Sequence, residues 1–96
     1  MKIMTKYNEK GTDLLISALI SIDNEADAKD FLSDLLSFQE LETMSQRMEV
    51  AKMLSEKKSY QEIADLTGAS TATISRVNRS YTYGPGGYKK ILESLK

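Results

Sequence analysis

The chain contains no cysteine, no histidine and no tryptophan, and its proline count is one. Without cysteine there is no disulfide framework and no thiolate metal site. Without histidine, the common nucleophile–base pairs and most zinc sites are missing as well. The inventory therefore argues against an enzyme and supplies no metal-ligand set. Strand signals are absent too: there is no sustained polar–apolar alternation and no Asn-Gly or Asp-Gly hairpin turn. The longest apolar-rich stretch, Leu14 to Ile22, is broken by Ser17 and Ser21 and is too short to span a membrane. No unbroken apolar run follows Lys2 and Lys6, as a signal peptide would require. These absences point to a soluble, cytoplasmic, all-α protein.

At 96 residues the chain makes one domain, or half of an intertwined dimer. Its net charge of −1 hides a split. Residues 1–55 carry 6 basic and 10 acidic groups, a net of −4, whereas residues 56–96 carry 7 and 4, a net of +3. A basic half suits a polyanionic partner.

Helical periodicity recurs along the chain. Residues 1–8 read as a flexible arm, and residues 9–96 as a single helical domain. A first helix starts near Glu9, with apolar residues Leu14, Leu15, Ala18, Leu19 and Ile22 in one stripe and Ile16 and Ile20 in a second. So wide an apolar surface on a short helix implies burial on more than one side, hence a subunit interface. Asn24 is the N-cap of a second helix, with Ala28, Phe31, Leu32, Leu35 and Leu36 at helical spacing. Ser37 and Glu40 form a capping box for a third helix, Phe38 to Glu56, whose buried seam is Leu41, Met44, Met48, Ala51 and Leu54. Ser59 and Glu62 form another for a fourth, with Ile63, Ala64 and Leu66 as its apolar residues. Gly68 ends it, and Ser70 caps a fifth whose inward residues are Ile74, Val77 and Tyr81. Gly84-Pro85-Gly86-Gly87 is a turn, and Tyr88, Ile91, Leu92 and Leu95 mark a final short helix.

The segment 59–81 has the offsets of a helix-turn-helix. Ala64 is small where two helices must cross, and Gly68 tolerates positive φ four residues later. Ile74 and Val77 follow where the second helix must dock, and Ile63 completes the small core. The outward face then carries Ser70, Thr71, Ala72, Ser75, Arg76 and Arg79. Short side chains let a helix sit deep in a major groove, where hydroxyls bond base edges and methyls touch thymine. Arg79, Lys57 and Lys58, with Tyr60 and Gln61 beside them, would reach phosphates at the flanks. An ordinary solvated helix would favour Ala, Glu, Lys and Gln over this hydroxyl-rich run.

At these residues the chain resembles the Trp repressor superfamily. The likeness rests on the six-helix pattern, on helices four and five as the helix-turn-helix, and on GASTATISR at Gly68 to Arg76. The segment SRVNRSYTYGPGGY is similar to the YerC/YecD-like branch. The resemblance implies an intertwined homodimer with two reading heads about 34–36 Å apart on double-stranded DNA. It implies base-reading positions at Ser70, Thr71, Ala72 and Ser75, with Gln61 in the preceding helix. Arg47 and Arg76 correspond to the two arginines that hold the family's tryptophan, Arg47 on the assumption of a one-residue-shorter turn after helix three. A glycine follows the second arginine in the family. Here Val77 stands there, and its branched side chain argues against tryptophan as the ligand while leaving room for another small-molecule corepressor. The expected function is a sequence-specific transcriptional regulator, most simply a repressor. The competing reading is a dimeric protein-interaction module or transcription accessory factor. RNA binding is less favoured, because the tyrosines at 81, 83 and 88 flank a turn and do not line an open platform.

Overall fold

The computed structural model describes residues 9–96; the arm expected at residues 1–8 lies outside them. The fold is all-α, with six helices in the expected order: α1 (Glu9–Ser21), α2 (Glu25–Leu35), α3 (Phe38–Ser55), α4 (Tyr60–Thr67), α5 (Thr71–Tyr83) and α6 (Gly87–Ser94). The chain divides after Ser37 into two compact units.

In the first unit, the α2 boundary follows from local chemistry. The Asn24 side chain accepts a hydrogen bond from the Asp27 amide at 2.8 Å, satisfying one of the free N–H groups of the first turn. Glu25 and Asp27 add negative charge where the helix dipole is positive. Neither α1 nor α2 contains a buried residue. Leu14 and Ile20 of α1 are 72% and 77% exposed.

The second unit is built differently. Helix α3 packs on α4, α5 and α6, and α5 packs on α4 and α6. Their shared core is Val50 and Ala51 from α3, Ile63 from α4, Ala69 from the turn, Ile74 and Val77 from α5, and Leu92 from α6. Ile63, Ile74 and Val50 are completely buried, each stabilising the fold by roughly 1.5–3 kcal/mol relative to exposure. The seam expected on α3 is shifted. Ala51 is buried and Leu54 packs against the core, but Met44 and Met48 lie at the surface and Val50 takes their place. Three helices converge on the C-terminal half of α3, so the buried arc there is set by the partners and not by one apolar stripe.

Glycine is needed at two turns. Gly68 ends α4 with φ 74°, a left-handed conformation that L side chains resist. Gly84 has an ordinary φ, but a Cβ there would collide with the Ser80 carbonyl oxygen. Among the described residues one non-glycine residue also adopts positive φ: Lys57, at 65°. It occupies the left-handed position of a helix-ending motif in which Lys58 N donates to Met53 O at 3.1 Å and Lys57 N to Leu54 O at 3.0 Å. A glycine usually stands there, so nothing in the sequence warned of this corner.

Candidate nucleic-acid interface

Helix α4 begins with a full capping box. The Ser59 hydroxyl accepts from the Glu62 amide at 3.1 Å, and the Glu62 carboxylate accepts from the Ser59 amide at 3.2 Å. The connection to α5 is tied down at both ends. Thr67 Oγ1 donates to Ile63 O at 2.7 Å and accepts from Ala69 N at 3.1 Å. Gln46 of α3 donates to the Thr67 carbonyl at 3.3 Å, fixing the turn to the scaffold. Ser70 caps α5 by accepting from the Thr73 amide at 3.1 Å. With Ile63, Ile74 and Val77 buried and Ala64 half-buried where the helices cross, α4 and α5 form the helix-turn-helix pair the offsets imply.

That packing turns Thr71, Ala72, Ser75, Arg76 and Arg79 of α5 to the surface. Helix α5 contains no aspartate or glutamate, so its exposed face is hydroxylic and basic. Ser70 is exposed as well, but its hydroxyl also donates to Thr73 Oγ1 at 3.1 Å, so the cap engages both its donor and an acceptor site. Gln61 is exposed on α4 with its amide nitrogen donating to Asp65 at 2.9 Å. Lys57 and Lys58 sit at the α3–α4 corner. Among the described residues none of Lys57, Lys58, Arg47, Arg76 or Arg79 is held in an ion pair. The carboxyl of Glu56, next to Lys57, is held below its ordinary value. The hydrogen bond from Lys52 is the main cause, opposed by partial desolvation and aided by the charges of Lys52 and Lys58.

The two arginines singled out from the sequence meet at one cleft. Its volume is about 230 Å³, and its walls are Thr43, Gln46 and Arg47 from α3, Thr73, Arg76, Val77 and Ser80 from α5, and Tyr88 from α6. Val77 forms part of the wall and is 3% exposed. Beyond Ser80 and Tyr88 lies a second, apolar groove of about 370 Å³, lined also by Met48, Pro85, Gly87 and Ile91. Sequence reasoning missed Gln46, whose link to the turn joins residues 21 apart in the chain, and a side-chain bridge from Tyr60 to Asn78. Neither has a local pattern to betray it.

Two helices, α3 and α6, carrying a packed helix-turn-helix pair form an architecture of DNA-binding regulators, and the comparisons assign the family. The family model of the Trp repressor protein matches residues 10–96, and the chain belongs to that family, a family of regulators and not of enzymes. It is 40% identical over 91 residues to the uncharacterized protein YerC of Bacillus subtilis (strain 168), a match spanning 95% of this chain and 88% of that one. A crystal structure of a TrpR-like protein from Eubacterium eligens ATCC 27750 matches with a TM-score of 0.89 at 46% identity, covering 96% of this chain and 95% of that one. A candidate Trp repressor from Staphylococcus aureus matches with the same TM-score at 36% identity, covering 99% and 95%. No helix among the described residues is long and apolar enough to cross a membrane.

Proposed function

We propose that the protein is a homodimeric, sequence-specific regulator of transcription, most simply a repressor, that reads double-stranded DNA through α5. One observation carries this reading: the exposed face of α5 is short, hydroxylic and free of acidic residues while its opposite face is locked into the core. Thr71, Ala72 and Ser75 read base edges, with Ser70 and Gln61 at the margins of the contact. Arg79, Lys57 and Lys58 grip phosphates. Residues 9–96 act as a single functional domain, and a second copy covers the apolar residues of α1 and the groove at Met48, Tyr88 and Ile91. Arg47 and Arg76 serve as a seat for an anionic small molecule. Val77 narrows that seat, which argues against tryptophan as the effector.

Selection from random duplexes by gel shift tests the central claim. We expect an enriched pseudo-palindromic site; no enrichment at moderate salt would sink it. Arg79→Ala should weaken binding to all sequences, whereas Thr71→Val should change which sites are enriched. The alternative, a protein-docking module, draws on the exposed apolar groove. It is separated by salt: a phosphate-gripping dimer loses DNA affinity steeply between low and physiological salt, and a protein-docking module does not. Thermal-shift screening with amino acids and aromatic metabolites tests the effector seat. A ligand of the folded state raises the melting temperature, and Arg76→Ala should remove the rise.

A further inference from the structure

The outer edge of the helix-turn-helix carries a chain of three side chains. Thr82 Oγ1 donates to Asn78 Oδ1 at 3.2 Å, and Asn78 Nδ2 donates to the Tyr60 phenolic oxygen at 3.0 Å. Thr82 and Asn78 are one turn apart on α5, and Tyr60 is the first residue of α4. Donation runs in one direction. The amide oxygen takes the Thr82 proton, so the amide nitrogen faces Tyr60. The Tyr60 oxygen takes a hydrogen from that nitrogen, so its own hydroxyl hydrogen points away. Among the described residues no acceptor receives it. Tyr60 is 37% exposed and lies just beyond Lys57 and Lys58 in the chain. Hydrogen bonds in series polarise one another, so the last O–H is a stronger donor than an isolated phenol.

We propose that Thr82, Asn78 and Tyr60 form a one-way donor chain whose open end, the Tyr60 hydroxyl, binds a backbone phosphate oxygen of DNA. Asn78 is the positioning residue: it aims the hydroxyl outward and ties the start of α4 to the middle of α5. The phosphate grip and the recognition helix then move as one body, so a backbone contact made at α4 sets the depth at which α5 enters the groove. This inference rests on the DNA-reading function proposed above.

Tyr60→Phe deletes the hydroxyl and little else. On the duplex selected by the wild type, we expect about a tenfold loss of affinity, the scale of one hydrogen bond to a charged acceptor. The preferred sequence should stay the same. The slope of log affinity against log salt should also stay the same, because a neutral donor displaces no counterion, whereas Lys57→Ala should lower it. Methylphosphonate substitution, one phosphate at a time, gives the decisive readout. One position in each half-site should weaken the wild type and leave Tyr60→Phe unaffected. Asn78→Ala should reproduce most of the loss, and adding Tyr60→Phe to it should add little. Wild-type affinity in Tyr60→Phe overturns the donor chain, whatever happens to the melting temperature. So does a loss with the same methylphosphonate pattern as the wild type. If the wild type selects no duplex at all, the DNA-reading function fails first; if it does and Tyr60→Phe equals it, the donor chain alone fails.

Discussion

Helices α1 and α2 are richer in leucine and isoleucine than α3 to α6, yet they contain no buried residue, whereas the second unit closes around seven. Apolar content alone therefore does not decide which helices are buried. The difference is that α3 meets three other helices, so one apolar face finds several partners. A solvated helix as short as α1 is marginal in water, because helix propensity alone rarely offsets the entropy of ordering it. In the proposed dimer the first region is half of an interface, whereas the second closes a core of its own. Under the proposed function the two units would separate two tasks, assembly by the first and DNA reading by the second.

The largest expected effect comes from breaking the self-sufficient region. Ile74→Ala should cost about 2–5 kcal/mol, most of the stability of a small domain, through lost burial and the cavity left behind. Chemical denaturation reads this directly, and an unchanged midpoint would refute the core assignment. Next, Leu15→Glu with Leu19→Glu places charge on α1, where both side chains are exposed in the single chain. For a helix that stays wet the change is nearly silent. For one half of an interface, each leucine carries roughly 1.5–3 kcal/mol of burial, about tenfold or more in association. Sedimentation equilibrium should show the protein falling to monomer while α3 to α6 keep their helicity; an unchanged mass would erase the contrast drawn here.

A smaller effect concerns the second unit. Lys57→Gly relieves the left-handed strain and should stabilise the fold by roughly 1 kcal/mol. The same change should weaken DNA binding and lower its salt slope by about one per lysine lost. Opposite signs in a thermal melt and a binding titration would mark Lys57 as kept for contact; agreement in sign would mark it as structural. The smallest effect concerns Glu56. Its folded carboxyl titrates below the ordinary range, so its contribution is present above the unfolded pKa and is lost as pH falls through the folded one. Glu56→Gln should flatten a slight decline in stability as pH falls into the acid range, measured by melts across that range. The pair lies at the surface and is screened by solvent, so the slope change should be small.

Much of this was legible in the residues. Capping chemistry is local, so Asn24, Ser59 and Ser70 announced their helices, and each accepts the expected amide. Gly68 and the paired Ile74 and Val77 announced the helix-turn-helix because steric needs recur at set offsets. The residues that resisted reading depend on distant partners. Val50 and Ala69 are buried only because other helices cover them. The bridge from Asn78 to Tyr60 spans 18 residues, and no periodicity encodes it. Lys57 adopts its left-handed backbone although its side chain does not favour it.

The amino-acid pattern alone was enough for the helix boundaries, the all-α class and the placing of small and hydroxylic residues on one face of α5, because caps, glycine φ and helical period act within a few residues. It also placed Arg47 and Arg76 as a candidate pair, by resemblance. Packing decided the rest. It brought the two arginines from α3 and α5 onto one cleft, set Val77 into its wall, and aligned Thr82, Asn78 and Tyr60. The physical reason is range: such contacts form between side chains far apart in the chain, and only the crossing of helices on a common core fixes their distances.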